Sequence, residues 1–470
     1  MKLTFWGAAK QVTGSMFLLE LEDEFRILIE CGMDMERKAP LPDFIGLFPF
    51  EPSMIHLVLL THAHVDHSGL IPNLLREGFE GQVICTPATK DLTELLLNDS
   101  ASINQKRLKK FQKKLKSQPG LKLPDSLKEL YLHKQVQEAL HLFRTVQYKQ
   151  KIRIHPQVSV TFIQAGHLLG AAHILMQIQE DGKEKTICFS GDLGRKNYPL
   201  LQDPEPIPEV DYLICESTYG NRYHLAQNTA EEAVSQIIQE TCVEVPGKLI
   251  VPAFSVGRTQ AMLYTLHKLQ VAGQLPPIKI FTDSPLALKS SQVYQKYLSL
   301  LNAEAREFAK TNGQLFDFEN LIYLEDIKDS KMAAHYNKPC IIVSSSGMVQ
   351  GGRIEYHVKE NLNNKLATIL MIGFSAEGTM GYDLIHSNKT IMVKNKEIPI
   401  QARVERIDNF SGHGDLNDLM DFVQYQSPQK VKKIFLVHGE LDSMTDFCRI
   451  LHENGYTQTE IPERGIAYDL

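Results

Sequence analysis

The sequence predicts an α/β protein with more than one domain, and three observations support this prediction. Its 470 residues are 43% hydrophobic and 23% charged, as in ordinary globular chains, and this length is enough for about two to four domains of ~100–200 residues. From 210 to 387, short apolar runs alternate with helical patterns, which is typical of a largely parallel sheet. A proline-rich connector over 199–208 continues neither a helix nor a central strand, so we expect a domain boundary there.

The elements follow in order from the local patterns. Short β-rich apolar runs closed by turn residues predict strands over 3–5, 16–21, 26–29 and 56–60. Near Asp91 the pattern becomes helical, with Leu92, Leu95 and Leu96 on one face. Strand patterns return over 152–154, 158–163, 174–178 and 186–190. Beyond the connector we expect strands over 212–215, 249–251, 278–281, 341–343 and 368–372, a helix over 259–269, and short strands and turns from 391 to 437.

Charge, cysteine content and hydropathy exclude several classes of protein. The net charge is −6, so no global basic field indicates a nucleic-acid partner, although a local basic surface would be enough. The seven cysteines are scattered, which indicates buried free thiols in a reducing compartment. The longest apolar runs are far shorter than the ~20 residues of a membrane-spanning helix, and Lys10, Gln11 and Thr13 interrupt any N-terminal signal peptide. The sequence predicts a cytoplasmic protein with no membrane partner.

One segment departs strongly from the average charge. Residues 101–120 carry seven lysines and arginines and no acidic residue, while Leu108, Phe111 and Leu115 are spaced for one side of a helix. The pattern predicts a basic amphipathic helix. It is explained either as a solvated insertion with one buried stripe or as a surface that binds phosphate or a partner.

The strongest chemical signal is a cluster of His62, His64, Asp66 and His67 directly after the strand predicted at 56–60. Three imidazoles and a carboxylate are costly to bury this close together unless a positive charge lies among them. A pair of transition-metal ions supplies that charge, because His-x-His reaches one ion and the following Asp-His reaches a second. The alternative is a polar surface turn without metal.

The pattern His-x-His-x-Asp-His after a strand resembles the signature of the metallo-β-lactamase fold. That fold places further ligands on later loops, and His167 in QAGHLLGAA and Asp192 in CFSGDLGR stand in matching contexts. Taken alone, His167 is as well explained as a structural histidine and Asp192 as a turn residue. Glu30 departs from the fold, which usually has aspartate there, but a longer carboxylate can still orient the ligands. The resemblance implies an αββα metallo-β-lactamase sandwich formed by residues 1–205 and 388–470.

Further motifs resemble those of the β-CASP nucleases, the branch that contains RNase J and the mRNA 3′-end cleavage subunit. These motifs are ESTYG at 216–220, PAFSVGRTQ at 252–260, DSP at 283–285, SSSGMVQGG at 344–352, EGT at 377–379, SGHGD at 411–415 and VHGE at 437–440. Gly412 and Ser375 stand where alanine and glutamine are common. The resemblance covers nearly the whole chain and implies an α/β β-CASP domain inserted as residues 206–387. Because few residues follow His438, we expect the compact bacterial and archaeal type.

Carried over residue by residue, the resemblance implies a site for two zinc ions, with Mn²⁺ as an alternative on ligand type. The implied ligands are His62, His64 and His167 for one ion, Asp66, His67 and His438 for the other, and Asp192 as the bridge. The family hydrolyses phosphodiesters with two metals, to a 5′-phosphate and a 3′-hydroxyl. The implied catalytic residues are Asp66, Asp192, His413 as general acid for the leaving oxygen, and Glu216, which orients His413 and keeps it protonated.

The resemblance implies single-stranded RNA as the substrate. Ser346 and Gly347 are candidate phosphate contacts, because backbone N–H groups at the start of a helix bind anions; the alternative is a plain strand-to-helix turn. Arg258 and Ser411 are further candidate contacts, although packing or a structural ion pair is the more usual role of such an arginine as Arg258.

Three other functions compete with the ribonuclease. A small-molecule hydrolase of the same fold does not need the domain between 210 and 387. A non-catalytic RNA-processing scaffold usually lacks ligands, and every expected ligand is present. The residues alone distinguish a DNA-directed β-CASP nuclease from a ribonuclease least well. Endonuclease action, with or without 5′-exonuclease action, and a homodimer are expectations from the family.

Overall fold

A computed structural model gives the fold and describes residues 1–22, 24–35, 47–117, 127, 130–180, 182–224, 228–387, 389–393 and 396–470. Contacts divide the chain into two compact units. The first consists of Met1–Lys196, Asp203–Tyr223 and His413–Leu470, and the second of Asn197–Gln202 and His224–Gly412. The chain therefore leaves the first unit twice, briefly at Asn197–Gln202 and then for the long segment His224–Gly412, and returns at His413 to complete it. The predicted domain limits at 205 and 387 stay predictions.

The first sheet of the first unit combines an antiparallel meander with parallel strands. Its order is β22-β1-β2-β3-β4-β5-β6, with β1 to β3 antiparallel and β3 to β6 parallel. The strands are β1 (Lys2–Phe5), β2 (Phe17–Glu20), β3 (Arg26–Ile29), β4 (Leu57–Leu59), β5 (Gln82–Cys85), β6 (Phe143–Thr145) and β22 (Ala467–Asp469).

The second sheet has the order β21-β20-β11-β10-β9-β8-β7. Its central strands β10, β11 and β20 are parallel, so their carboxyl ends meet at one edge. The strands are β7 (Ile152–His155), β8 (Val158–Gln164), β9 (Ala172–Glu180), β10 (Lys183–Phe189), β11 (Tyr212–Glu216), β20 (Lys433–Val437) and β21 (Thr459–Glu460).

The two sheets of the first unit pack face to face through one apolar core, and helices cover their outer faces. Phe5 and Phe17 of the first sheet meet Phe162, Phe189 and Phe435 of the second, because alternate side chains of a strand point to opposite faces. The helices outside the first sheet are α1 (Val65–Ser68), α2 (Ile71–Arg76), α3 (Pro87–Ser117) and α4 (His133–Leu140), and those outside the second are α12 (Leu416–Val423) and α13 (Leu441–Glu453). The predicted αββα sandwich is confirmed.

The second unit contains a parallel sheet in the order β14-β13-β15-β12-β16-β19. Its strands are β12 (Lys248–Pro252), β13 (Lys279–Asp283), β14 (Leu321–Tyr323), β15 (Cys340–Ser344), β16 (Ala367–Met371) and β19 (Arg403–Arg406), beside the hairpin β17 (Thr390–Val393) and β18 (Lys396–Pro399). Its helices are α5 (Ala230–Ile238), α6 (Arg258–Val271), α7 (Pro285–Lys296), α8 (Ala303–Asn312), α9 (Ile327–Ala334), α10 (Ile354–Asn361) and α11 (Met380–His386). The predicted α/β class of this region is confirmed.

One local prediction needs correction, and the predicted basic helix is present. The region from 391 to 437 was expected to hold only strands and turns, but it contains α12, whose Leu416, Leu419 and Phe422 are buried on one side and whose start is capped by the Asp415 side chain. The basic segment belongs to a helix that begins at Pro87 and ends at Ser117, and 118–120 lie outside the described residues. Within the described part of the chain, no helix is long and apolar enough to cross a membrane.

Candidate metal centre

The predicted ligands of the first unit lie on loops and turns that follow strands. His62 and His64 come after β4, and Asp66 and His67 stand in the short helix α1 that begins directly afterwards. His167 lies between β8 and β9, Asp192 follows β10, and His438 follows β20. Because β10 and β20 flank β11 in parallel, their carboxyl ends bring residues from distant parts of the chain to one place.

One group of donor atoms surrounds the Oδ2 atom of Asp192. The Nε2 atoms of His62 and His167 each lie 3.4 Å from this oxygen. The Nδ1 atom of His64 lies 3.1 Å from His62 Nε2 and 3.2 Å from His167 Nε2. Four atoms bound to one tetrahedral zinc at about 2.0–2.1 Å would be about 3.4 Å apart, so this spacing fits a single ion.

A second group surrounds the other oxygen of the same carboxylate. Asp192 Oδ1 lies 3.3 Å from His67 Nε2 and 3.5 Å from His438 Nε2, and it is buried without a well-directed hydrogen bond from the described residues. Asp66 Oδ2 completes the group, 3.8 Å from His67 Nε2 and 3.7 Å from His438 Nε2. The structure thus brings all seven predicted ligands together, and their roles as ligands stay predictions.

The electrostatics of this cluster favour a bound cation. Burial, followed by the charge on His62, lowers the pKa of His64 to about 3. Burial also acts to lower the pKa of His438, but the negative charge of Asp192 and a hydrogen bond with Asp66 outweigh it and raise the pKa to about 9. Burial would raise the pKa of Asp192, yet the neighbouring imidazoles hold it well below its usual range. The neutral His64 ring has a lone pair available for a cation, and metal ions would supply the positive charge beside Asp192 that protonated imidazoles otherwise provide.

The imidazoles are oriented from behind by three further side chains. Thr61 Oγ1 lies 3.0 Å from His62 Nδ1 and also donates a hydrogen bond to Glu30. The other Glu30 oxygen lies 2.7 Å from His67 Nδ1, so this longer carboxylate reaches the ligand despite its departure from the family pattern. Partners of this kind fix which ring nitrogen faces a metal.

Thr218 plays the same part for the last ligand. Its Oγ1 atom lies 3.0 Å from His438 Nδ1, which leaves Nε2 to face Asp192 and Asp66. The backbone of His438 has φ +52°, a left-handed conformation that costs energy for residues other than glycine. Its N–H donates to Ala8 O at 2.7 Å, and this contact holds the turn in the orientation that the side chain requires.

A second ionisable pair stands at the edge of the cluster. His413 Nε2 lies 4.0 Å from Asp192 Oδ2, and His413 Nδ1 lies 3.0 Å from Glu216 Oε1. Glu216 is buried and accepts hydrogen bonds from the backbone N–H groups of Leu193 and Thr218. The His413 side chain keeps 17% of its surface exposed, so it is oriented by a fixed carboxylate while remaining open to a reacting group.

The predicted substrate contacts lie in the second unit and are described separately. Ser346 and Gly347 follow β15, and Arg258 begins α6 after the neighbouring strand β12. The Arg258 guanidinium lies 4.7 Å from the centre of the Phe254 ring, and a Cβ on Gly347 would lie 3.2 Å from the Phe254 N atom. Arg258 and Gly347 therefore lie beside Phe254, Ser346 bonds to the backbone of Gln350, and Ser411 is buried in the loop after β19. Their roles toward substrate stay predictions.

Sequence reasoning assigned no role to Thr61 or Thr218. Each stands beside a predicted functional residue, Thr61 before His62 and Thr218 two residues after Glu216. That adjacency, together with a hydroxyl that can accept from an imidazole N–H, was the available signal. Tyr219 was also passed over, and its ring lies edge-on to His413 with centroids 6.0 Å apart.

Three family models match successive parts of the chain. The metallo-beta-lactamase superfamily matches residues 9–219, the Beta-Casp domain matches 259–384, and the Zn-dependent metallo-hydrolase RNA specificity domain matches 397–462. A solved structure of a protein of unknown function from Enterococcus faecalis V583 covers 100% of this chain and 99% of its own, with a TM-score of 0.54 and 13% identity. That likeness shows a shared fold.

Curated relatives match along nearly the full length. Ribonuclease TTHA0252 of Thermus thermophilus is 31% identical over 460 residues, which are 97% of each chain. An RNase J-like protein of Methanocaldococcus jannaschii is 30% identical and covers 98% of each chain. Transcription termination factor FttA of Methanosarcina mazei is 29% identical over 96% of this chain and 69% of its own. With these matches and the ligand cluster, the chain belongs to the β-CASP nuclease family of the metallo-β-lactamase superfamily.

Proposed function

We propose that the protein is a zinc-dependent ribonuclease that hydrolyses phosphodiester bonds of single-stranded RNA with two metal ions. The observation that carries the proposal is the arrangement around Asp192, whose two oxygens each face a separate set of ligands. A bridging carboxylate of this kind is the usual means of holding two ions close enough to act on one phosphate.

His62, His64 and His167 would hold one ion, and Asp66, His67 and His438 the other, with Asp192 shared. When bound, the two ions supply Lewis-acid chemistry that neutralises phosphate charge and lowers the pKa of water. Nitrogen-rich donor sets such as these suit zinc, and the matching family models include a Zn-dependent metallo-hydrolase domain.

Hydrolysis joins a water oxygen to phosphorus and breaks the bond from phosphorus to the 3′ oxygen. The water must therefore lose a proton, and the 3′ oxygen must gain one. Asp192, whose two oxygens face the two ligand groups, would position the ions, and Asp66, which faces its group through Oδ2, would pass the first proton to solvent from its other oxygen. His413 is placed to give the second from Nε2, because Glu216 holds its Nδ1 and leaves Nε2 facing the cluster. The products are a 5′-phosphate and a 3′-hydroxyl.

The choice of RNA is supported by the relatives. Two relatives that match along almost the whole chain are named as a ribonuclease and as an RNase J-like protein. The domain matched at 397–462 is named for RNA specificity. We propose single-stranded RNA, with endonuclease action as the primary activity.

The test uses one single-stranded RNA labelled separately at its 5′ and 3′ ends, incubated with the protein with and without a chelator. We expect internal fragments that disappear with the chelator and with Asp192→Ala, and about two zinc ions per chain by elemental analysis. Asp203→Ala, an exposed aspartate outside the centre, is the matched control and retains cleavage and zinc.

Each other outcome replaces a specific part of the proposal. A labelled mononucleotide released only from the 5′ end would establish an exonuclease in place of an endonuclease. Cleavage of single-stranded DNA without cleavage of RNA would establish a DNA nuclease. A chain that holds two zinc ions and cuts neither strand would be a scaffold.

A further inference from the structure

The proposed function makes no use of the second half of α3. Seven basic residues stand there between 101 and 117 without any acidic residue: Lys106, Arg107, Lys109, Lys110, Lys113, Lys114 and Lys116. All seven are exposed, and no ion pair joins any of them to a residue within the described ranges. This set of side chains is called the basic face below.

The basic face occupies one side of the helix. At 3.6 residues per turn, the seven side chains spread over about half of the circumference. Leu108, Phe111 and Leu115 lie on the opposite side and are half-buried. The sequence therefore turns one continuous basic surface toward solvent, within a chain whose net charge is −6.

Helix stability accounts for only a small part of this arrangement. Cations near a helix C-terminus interact favourably with the helix dipole, which applies to Lys114 and Lys116 in the last turn. The other basic residues repel one another, as in the pairs Lys106–Lys110 and Lys109–Lys113, because like charges four residues apart destabilise a helix. A bound polyanion would relieve this repulsion, and a free surface normally avoids it by mixing charges of both signs.

The start of the same helix is anchored beside the candidate metal centre. The side chains of Thr86 and Thr89 donate hydrogen bonds of 2.7 and 2.9 Å to Gly170 O, and Gly170 lies three residues after the ligand His167. At 1.5 Å per residue, Lys106 lies about 28 Å along the axis from Pro87 and Lys116 about 44 Å. The basic face is thus separated from the reacting phosphate by a fixed span of helix.

We propose that the basic face binds the phosphate backbone of an RNA strand at nucleotides remote from the bond that is cut. This inference rests on the proposed function and adds a length requirement to it. A stacked strand advances about 3.4 Å per nucleotide, so about eight nucleotides cover 28 Å. RNAs of a few nucleotides reach the metal centre alone, whereas long RNAs reach both sites.

The test compares the protein with a variant that carries Lys106→Gln, Lys110→Gln and Lys113→Gln, from the middle of the basic face. Cleavage of a 4-nucleotide and a 24-nucleotide single-stranded RNA is measured from about 50 to 200 mM KCl. We expect roughly tenfold lower kcat/KM for the long RNA and no change for the short one. The slope of log affinity against log salt should become shallower by about 2, at ~0.7 for each lost phosphate contact.

Two matched variants separate charge from folding. Replacing the same three lysines by arginine keeps the charge and should retain the activity on long RNA. Replacing Lys2, Lys151 and Lys183 by glutamine removes three exposed charges elsewhere in the first unit and should leave both RNAs unaffected.

Binding of the labelled 24-nucleotide RNA, followed by fluorescence anisotropy, gives the same salt slope without cleavage. A protein that cuts no RNA but shows the shallower slope in the variant would refute the proposed function and support this inference. An unchanged slope for the variant would overturn the inference and leave an acidic protein partner for the basic face. Equal losses on short and long RNA would also overturn it, because the lysines would then act through the metal centre.

Discussion

Two buried polar clusters, one in each unit, differ in how their charge is balanced. In the second unit, Asp283 is completely buried and lies 2.6 Å from Arg353 Nη1, 2.6 Å from His357 Nε2 and 2.5 Å from Ser330 Oγ. Each of its oxygens has a donor directed at it. In the first unit, Asp192 is equally buried, but its contacts are imidazole nitrogens at 3.3–3.5 Å.

The difference separates a structural ion network from a candidate metal centre. A carboxylate with a guanidinium and two well-directed hydrogen bonds needs nothing further. A carboxylate within a ring of imidazoles that point at common positions, at separations suited to a central ion, is incomplete as a protein structure alone. Charge balance is therefore a sharper criterion for metal binding than burial, since both aspartates are buried. The predictions below alter one cluster and use the other as the reference.

Removing the proposed proton donor, His413, should have the largest effect of the four changes. His413→Ala should lower kcat by about 10²–10⁴-fold, the range for loss of a general acid, because the 3′ oxygen then leaves without a proton. The zinc content should stay at its original value, since His413 makes no contact that the seven ligands need. Steady-state cleavage and elemental analysis check both, and zinc loss in this variant would contradict the assignment.

Asp283→Asn should lower the free energy of unfolding of the second unit and leave the metal content of the protein unchanged. Breaking a buried ion pair costs about 3–5 kcal/mol, because Arg353 and His357 then face a neutral group. The loss is measured by urea unfolding, with zinc content as the reference for the other cluster. Unchanged stability would show that the cluster does not stabilise the unit.

The stabilisation by Asp283 also has a defined pH dependence. Burial would raise its pKa, but hydrogen bonds from His357, Ser330 and Arg353 outweigh burial and lower it. The stabilisation is therefore full above the ordinary pKa of an aspartate, about 3.9, and is lost as the pH falls through the lowered value. The difference in free energy of unfolding between the wild type and Asp283→Asn, measured by urea unfolding at a series of pH values, should disappear only in strong acid.

Thr218→Val should weaken metal binding by about 10–100-fold, the usual cost of losing the partner of a ligating histidine. The hydroxyl lies 3.0 Å from His438 Nδ1, and valine has the same shape without it. Thr218→Ser keeps the hydroxyl and should bind zinc as the wild type does. Competition with a fluorescent chelator measures the zinc affinity. Equal affinities for the two variants would mean that the Thr218 hydroxyl does not contribute to metal binding.

The smallest effect is expected for Glu30→Asp, which restores the residue usual in the fold. The shorter side chain withdraws the carboxylate by about one bond length, ~1.5 Å, but keeps the charge beside His67. We expect less than about a tenfold change in zinc affinity, because a water molecule can bridge the gap. Glu30→Leu, which removes the charge, should cost about 10–100-fold, and equal effects would mean that the carboxylate does not orient His67.

Much of the fold was predictable because its patterns are local. Strands such as Arg26–Ile29 and the helix near 259–269 follow from apolar periodicity over a few residues. The helix α12 was missed although Leu416, Leu419 and Phe422 have helical spacing and Asp415 caps them. It is only eight residues long, so its helical periodicity is a weak signal beside the turn residues of the preceding SGHGD motif.

The sequence predicted which candidate ligands lie together, but it did not predict the side chains that orient them. His62, His64, Asp66 and His67 stand together in the sequence, whereas His438 entered only through a family motif. The contact between Thr218 and His438 joins residues 220 positions apart, and it arises because β11 pairs with β20. No local sequence pattern predicts that pairing, or that His64 faces the cluster through Nδ1. The side chains that orient the histidines could therefore be found only in the three-dimensional structure.

The order of the ligands along the chain has a consequence for synthesis. His67 and His438 belong to the same proposed ligand group but are 371 residues apart, with the whole second unit between them. A ribosome must therefore translate past His438, and so through the whole second unit, before the second ligand group can close. Growing chains, and fragments released from damaged messages, lack this group. Incomplete chains of the proposed ribonuclease would therefore be unable to cut the messages of the cell that makes them.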